Sequence, residues 1–161
     1  MPIRNIIQDY TGRKRDLNIA FGIDPTNPNR QIVDLSFGKL STFCAGVEKL
    51  IQRYMILFLT AVGSQLNYPT FGTDFANVLY SSNLKSREDM LHTFNFANFN
   101  VLTILEKYQT DNPGLPLDEQ ISTASLNEFE VSGDKLSVSI KILTLAGENV
   151  DFLIPLPLKN N

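Results

Sequence analysis

The side chains that could carry out chemistry in this sequence are few and widely spaced. The chain has one histidine, His92, and one cysteine, Cys44, and neither has a catalytic partner or a second metal ligand at a useful spacing. A Ser-His-Asp triad, a zinc site and a phosphate-binding glycine loop each need a pattern that this sequence lacks. His92 therefore fits an ordinary surface or boundary position, and Cys44 fits a small buried apolar position. No cofactor and no metal are expected.

Four carboxylates lie around a segment, rich in proline and glycine, that ends the second long helical pattern. They are Glu106, Asp111, Asp118 and Glu119. A pair of acids can hydrolyse a glycoside when it flanks a cleft at about 5 to 10 Å and one acid is held in a low-dielectric pocket. Acids beside such a segment are more commonly solvated surface charges. The pattern therefore favours a protein that is not an enzyme, with a small cell-wall (muralytic) hydrolase as the alternative.

The charge balance argues against nucleic acid binding. The formal net charge is -3 and the sequence pI is about 5.1, whereas phosphate recognition needs a concentration of Lys and Arg. One basic cluster is present, formed by Arg13, Lys14 and Arg15. It is predicted to be either a solvated part of an N-terminal arm or a docking site for an acidic neighbour.

No membrane association and no small-molecule substrate are expected. The longest apolar run, residues 54–59, is far shorter than the stretch of about 20 residues that crosses a bilayer. Residues 1–10 mix polar and apolar side chains, so no secretory signal is expected. Charged residues make up 19% of the chain, below the usual level of about 25%. Partner-covered surface and abundant uncharged polar residues both fit this low charge.

Hydrophobic periodicity predicts two long amphipathic helices. Apolar residues at steps of three and four predict the first helix over residues 40–62, with Gly63 at its end. A short helix then reaches Tyr80. The second long helix begins after Ser86, where Asp89 stands at the position that completes a capping box.

Phe96 and Phe99 project outside the apolar stripe of the second long helix. Two interpretations stay open. These rings are buried on a second side, between the first helix and a sheet, or they form an aromatic patch that faces a partner.

After the second helix the period falls to two and predicts a three-stranded antiparallel meander. The strands are expected at residues 121–131, 136–142 and 150–154. Because Pro155 and Pro157 cannot donate ladder hydrogen bonds, the last strand is predicted to lie at an edge of the sheet. Helices followed by strands indicate an α+β domain, with the two long helices and the short helix packed on the meander.

Residues 1–39 show no sustained helical period and are predicted to form an extended N-terminal arm. Structureless segments longer than about 12 to 15 residues are commonly functional or disordered. The arm is therefore predicted to be either floppy or laid on another surface, and the chain divides into this arm and a domain over residues 40–161.

Two short motifs in order give the sequence a family resemblance. The first is a Leu-Thr-x-x-Gly stretch at the end of the first helix, and the second is a Pro-x-Phe-Gly turn. The motif residues are Leu59, Thr60, Gly63, Pro69, Phe71 and Gly72. This order, over about residues 40–156, resembles the gp25-like family of contractile-tail baseplate wedge proteins, also called sheath initiators. The later helix and the C-terminal meander also follow the family's order of elements.

The resemblance implies a structural component of a virion tail baseplate or of a related contractile injection system. Such a protein links the wedge and the inner tube to the first sheath ring. The implied partners are sheath subunits, baseplate wedge proteins and tail tube or hub proteins, with several copies in a ring that is assembled in the host cytoplasm. A tail adaptor that does not contact the sheath is a further alternative.

The last strand is the predicted site of sheath attachment. A strand of a sheath subunit that pairs with a sheet edge gains affinity from main-chain hydrogen bonds, and Asp151 with the two prolines guards such an edge against aggregation. The predicted interaction residues of this strand are Val150, Asp151, Phe152, Leu153, Ile154, Leu156 and Leu158.

One departure from the family pattern lies just before the first strand of the meander. The family usually has Glu-Pro-Arg there, whereas this chain has Asp118-Glu119-Gln120. In the family that tripeptide contacts neighbouring subunits, so Asp118 and Glu119 join the predicted interaction residues.

Overall fold

The computed structural model describes residues 13–18, 21–24, 27–33, 43–81 and 86–158 of the 161-residue chain. The elements in chain order are β1 (Asp16–Leu17), β2 (Phe21–Asp24), β3 (Asn27–Val33), β4 (Phe43–Cys44), α1 (Val47–Leu59), α2 (Phe75–Tyr80), α3 (Arg87–Asp111), a 3-10 turn (Leu117–Glu119), β5 (Ile121–Ser132), β6 (Lys135–Thr144) and β7 (Asn149–Pro157). The predicted α+β class, with helices before an antiparallel C-terminal meander, is confirmed.

The meander belongs to a sheet with the strand order β2-β3-β7-β6-β5. Strand β3 pairs in parallel with β7, placing Gln31 opposite Phe152 and Ile32 opposite Leu153. The prediction that the last strand lies at an edge is therefore wrong. The β2–β3 hairpin, which lies within the predicted N-terminal arm, pairs with β7 and covers its edge. The sequence of β7 itself does not indicate pairing with a strand more than a hundred residues earlier in the chain. The predicted boundary at residues 39 and 40 lies outside the described residues.

The two prolines of β7 are accommodated by the direction of their backbone nitrogens. The Leu158 N–H donates to the Asp134 carbonyl at 2.6 Å, and Asp134 leads directly into β6. Since backbone groups alternate along an antiparallel pair, even-numbered residues of β7 bond to β6. The nitrogens of Pro155 and Pro157 point away from β6. Both prolines follow Phe152 and Leu153, the two β7 residues that pair with β3. The prolines therefore remove no hydrogen bond from the β6–β7 ladder.

One face of the sheet is packed against the helices. The alternating residues Leu136, Val138, Ile140 and Ile142 of β6 are all buried, as period-two patterning requires. Aromatic rings from three elements meet above them. The ring of Tyr54 lies 5.8 Å from Phe58 and 5.9 Å, edge on, from Phe152, and Phe58 lies 5.5 Å from Phe94.

A buried polar chain crosses this core. The Tyr54 hydroxyl donates to Asn98 Oδ1 at 2.7 Å, and Asn98 Nδ2 donates to the Ala124 carbonyl at 2.9 Å. It joins α1, α3 and β5 and satisfies three polar groups that would otherwise be costly to bury. Burial also raises the pKa of the Tyr54 hydroxyl.

Helix α1 starts at Val47 and ends at Leu59, so the predicted range of residues 40–62 is too long at both ends. Phe43 and Cys44 instead form β4, which pairs antiparallel with β1. The two residues match the helical period, but the pairing with β1 overrides it and leaves the Phe43 side chain 61% exposed. Gly46, at φ 62, then turns the chain into the helix.

The other two helices agree with the local signals. Ser86 and Asp89 form the predicted capping box of α3, with both bonds at 3.0 Å, and α2 ends at Tyr80. Phe96 and Phe99 are 65% and 68% exposed. Burial on a second side is therefore wrong for these two rings, and they form an exposed aromatic patch on α3.

The motif residues build a tight connector between α1 and α2. The Thr73 N–H donates to the Thr60 carbonyl at 2.8 Å, and the Gly63 N–H donates to the Pro69 carbonyl at 3.0 Å. The Thr73 hydroxyl donates to the Phe58 carbonyl at 2.7 Å, which ties the connector to the last turn of α1. The motif therefore has a structural role in this chain.

We expect Gly72→Ala to destabilise the protein by about 3 to 5 kcal/mol, because it combines backbone strain with overpacking. Gly72 has φ +102, and a Cβ there would lie 2.2 Å from the Thr60 carbonyl oxygen. Gly63→Ala is the matched control, since Gly63 has φ +79 but open space where the added methyl group would lie. It should cost about 1 to 2 kcal/mol. Denaturant unfolding measures both, and equal losses would contradict the close approach at Gly72.

Candidate functional site

Charged side chains from distant parts of the chain converge at the first turn of α1. Lys49 and Arg53 come from α1, Asp118 and Glu119 come from the 3-10 turn, and Arg13 comes from the segment that we call the N-terminal strap, residues 13–18. Arg13 pairs with Asp118, while Lys49 and Arg53 both approach Glu119. The convergence follows from the strap pairing with β4 and from the 3-10 turn packing on α1.

The centre of the cluster is a buried ion pair. Lys49 Nζ lies 3.2 Å from Glu119 Oε2, and the two side chains are only 5% and 2% exposed. The Gly46 N–H donates to the other carboxylate oxygen, Oε1, at 3.4 Å, so Glu119 also serves the orphan N–H groups at the start of α1. Both oxygens of this acid therefore face donors of the same chain.

The strap lies over this pair through polar contacts. Arg13 Nη1 bonds Asp118 Oδ2 at 2.7 Å. Lys49 Nζ donates to the Lys14 carbonyl at 3.1 Å, and Gln52 Nε2 donates to the Leu17 carbonyl at 2.9 Å. The strap thereby completes the polar shell of Lys49.

A cavity of about 510 Å³ opens beside the cluster. The segment of residues 112–116, which follows α3, forms one wall. The strap and α1 form the other wall. The Arg53 guanidinium stacks 4.7 Å above the Tyr108 ring at the mouth, as expected for cation–π contact. The lining residues are Arg13, Lys14, Lys49, Arg53, Tyr108, Asp111, Asn112, Pro113, Gly114, Leu115, Pro116 and Glu119.

The four acids considered for glycoside hydrolysis have different surroundings. Glu106 and Asp111 are exposed on α3, while Asp118 and Glu119 are buried beside cationic side chains of the same chain. A general acid in such a reaction sits in a low-dielectric pocket without a cationic partner. The geometry at Asp118 and Glu119 instead serves ion pairing and helix capping.

Two sets of predicted interaction residues meet each other within the chain. Arg13 and Lys14 were expected to be solvated or to reach an acidic neighbour, and the structure places them against Asp118 and Lys49. Arg15 is exposed. The charges of Arg13 and Asp118 are complementary. The two residues are 105 positions apart in sequence, however, so no local pattern indicates the contact.

The predicted interaction residues of β7 divide by face. Phe152, Ile154 and Leu156 are buried in the core, and Leu153 is buried on the sheet face away from the helices. Asp151 is exposed, and Val150 and Leu158 are half-buried. The side chains of the three core residues are therefore not on the surface of the isolated chain.

Strand β5 carries a feature that the sequence analysis missed, a sheet edge that is closed along one half and open along the other. Gln109 of α3 bonds both the Ile121 N–H at 2.7 Å and the Ile121 carbonyl at 3.3 Å, and Asn98 takes the Ala124 carbonyl. One feature of the sequence could have indicated the covered half of the edge: Asn98 is a polar residue on the same buried helix face as Ala97 and Val101.

The second half of β5 has no such cover among the residues that the structure describes. Even-numbered β6 residues bond to β7, so odd-numbered ones bond to β5. Phe129 and Val131 lie opposite Val138 and Leu136, and their own N–H and carbonyl groups therefore point away from β6. We call this stretch, residues 129–131, the open half-edge of β5.

The described ranges contain no helix that is long and apolar enough to cross a lipid bilayer. Within the same ranges, no group of three or more His, Cys, Asp or Glu side chains is placed to hold a metal ion.

Comparison of the chain with models of protein families, with curated proteins and with solved structures finds no match.

We expect Glu119→Gln to destabilise the protein by about 3 kcal/mol or more, because it leaves the buried Lys49 ammonium without its carboxylate. The double variant with Lys49→Met should regain a large part of that loss, since it removes the orphaned charge. Denaturant unfolding of the two single variants and the double variant measures the coupling. Additive losses would contradict a buried pair.

Cys44 should be inert towards thiol reagents in the folded protein. Burial raises the pKa of its thiol to about 11, and the carboxylates of Asp16 and Glu48 add to the effect. At pH 8 almost none of the reactive thiolate is present. Labelling should be slow in native buffer and complete in denaturant, with Leu66→Cys as a fully exposed control. Rapid native labelling of Cys44 would contradict this environment.

Proposed function

We propose that this chain is a structural, non-enzymatic protein of a contractile-tail baseplate. In this proposal it joins the wedge and the inner tube to the first sheath ring and templates the sheath by accepting a strand. The observation that carries the proposal is the open half-edge of β5. There the main-chain groups of Phe129 and Val131 point outward from an edge strand whose first half is closed by α3. The other edge of the sheet is β2.

The open half-edge replaces β7 as the proposed attachment site, because β7 lies between β6 and β3. Main-chain pairing depends little on side-chain identity, so it suits a strand that must recruit many identical partners. Glu130 and the exposed Val131 lie on this stretch. An added strand with alternating basic and apolar side chains would match them.

The motif geometry supports the same proposal. The motif residues hold the connector between α1 and α2 through main-chain bonds, as a fold-defining signature would. The ion-paired settings of Asp118 and Glu119 favour a structural role over hydrolysis. A tail adaptor that does not touch the sheath differs from the proposal only in the use of the open half-edge.

The proposal predicts that Val131→Pro blocks sheath assembly and leaves the fold intact. The Val131 N–H points away from β6, so proline removes a donor to an incoming strand without breaking the β5–β6 ladder. Val131→Thr is the matched control, since it keeps the N–H and a β-branched side chain. Electron microscopy of particles made with each variant measures the outcome. We expect tails without sheath for the proline variant and normal tails for the threonine variant.

Normal sheaths with Val131→Pro would overturn the edge assignment and favour the adaptor. Absence of the chain from the base of the sheath in intact particles would overturn the baseplate assignment itself. Clearing of cell walls by the purified chain, lost in Glu106→Gln or Glu119→Gln, would favour the hydrolase. Circular dichroism and thermal unfolding of the variants establish that each one is folded.

A further inference from the structure

The cavity beside the buried ion pair has a cationic wall. Its volume of about 510 Å³ lies within the range of roughly 300 to 1,000 Å³ that is usual for small-ligand sites. The residues that the N-terminal strap and α1 contribute to its lining are all basic, namely Arg13, Lys14, Lys49 and Arg53. The facing wall, residues 112–116, carries no charged side chain. The cavity therefore presents its positive charge from one side.

One of these cations lacks a hydrogen-bonding partner. Arg13 and Lys49 each have a close carboxylate, but the carboxylates that approach Arg53, those of Asp16 and Glu119, are both 3.9 Å away. That distance is beyond hydrogen-bonding range. The Nη1 atom of Arg53 is buried and has no acceptor among the described residues. A buried charged donor without an acceptor is costly, so Arg53 retains hydrogen-bonding capacity for an anion.

The position of the Arg53 guanidinium is fixed by an aromatic ring. It lies 4.7 Å above the centre of the Tyr108 ring. A guanidinium held in one plane presents a fork of N–H groups that matches the two oxygens of a carboxylate. Lys14 lines the same cavity with an exposed side chain and forms no ion pair within the described ranges. It supplies a second positive charge beside the fork.

We propose that this cavity binds a carboxylate group, carried by an acidic side chain of a polypeptide or by a small free acid. The Arg53 guanidinium donates to the carboxylate, and the Lys14 ammonium lies beside it. Carboxylates of Asp111 and Glu119 also line the cavity, and they repel a phosphate dianion more strongly than a monoanion. The ligand chemistry is therefore that of a carboxylate.

The carboxylate site is separate from the proposed strand-pairing site. The cavity adjoins the 3-10 turn that precedes β5, whereas the open half-edge lies near the end of that strand. The inference does not rest on the proposed baseplate function, and either can fail without the other.

Nuclear magnetic resonance titration of the full 15N-labelled chain at neutral pH and low salt tests the site. The probes are a blocked glycine peptide with one central glutamate, the same peptide with glutamine, sodium acetate and inorganic phosphate. The backbone amides of Gly114 and Leu115, on the uncharged wall, report binding. We expect saturable shifts with the glutamate peptide and an affinity about tenfold above that of the glutamine peptide.

Equal affinities of the glutamate and glutamine peptides would overturn the proposal, and so would tighter binding of phosphate than of the glutamate peptide. Acetate distinguishes the two sources of the carboxylate. Tighter binding of the peptide than of acetate supports a polypeptide ligand, and equal binding supports a small acid.

Two neighbouring basic residues provide a matched pair of variants. Lys14→Gln removes the ammonium but keeps the main-chain carbonyl that bonds Lys49, and it should weaken binding of the glutamate peptide about fivefold at low salt. Arg15→Gln makes the same change of charge at an exposed position outside the cavity lining, and it should change the affinity by less than about twofold. Equal losses would overturn the site, because net charge alone would then explain the binding.

Arg53→Lys tests the guanidinium itself. It keeps the positive charge and removes the planar fork, so we expect binding of the glutamate peptide to weaken about tenfold. Circular dichroism and thermal unfolding establish that the variant is folded. An unchanged affinity in the folded variant would overturn the role of Arg53, and the Lys14→Gln comparison tests the site if Arg53→Lys does not fold.

Discussion

The buried pair of Lys49 and Glu119 is the constraint around which the rest of the molecule is arranged. Two charges withdrawn from water are costly unless each meets the other in good geometry. This requirement fixes the 3-10 turn, and therefore the start of β5, against the first turn of α1. The same carboxylate reaches the Gly46 N–H, so the helix start, the sheet start and the strap meet at one point.

The helices that follow this point cover one face of the sheet and part of one edge. Helix α1 lies over the apolar face of β6 and β7, with the rings of Tyr54 and Phe58 at its centre. Helix α3 then packs beside α1, and its amides bond the outward backbone groups at the beginning of β5. The helix thereby divides the β5 edge into a covered first half and an open second half, while β2 forms the other edge of the sheet.

The parts of the fold that local physics determines could be predicted from the sequence. The capping box at Ser86 and the period-two pattern of β6 each depend on residues a few positions apart, and both are present in the structure. The start of α1 and the neighbour of β7 could not be predicted, because β1 and β3 reach them from distant sequence.

The site was predictable only in pieces. Arg13 and Lys14 stood out as a basic cluster, and Asp118 and Glu119 stood out as acids near a segment rich in proline and glycine. Their meeting depends on the tertiary packing of the strap and the 3-10 turn. The open half-edge depends on two amides, Asn98 and Gln109. In sequence these are single polar residues on an apolar stripe, and such residues are as often satisfied by water or by their own helix.

The Asn98 amide has a consequence for any chain that aligns with β5. Because it occupies the Ala124 carbonyl, a strand that pairs with the open half-edge in the proposed way would meet a covered edge at that residue. A slip of one residue would turn the guest's apolar side chains to the opposite face. The same amide is bonded to the Tyr54 hydroxyl in the interior. In the proposed assembly, the point where the edge stops accepting a guest strand would therefore be held by a side chain that is bonded to the core.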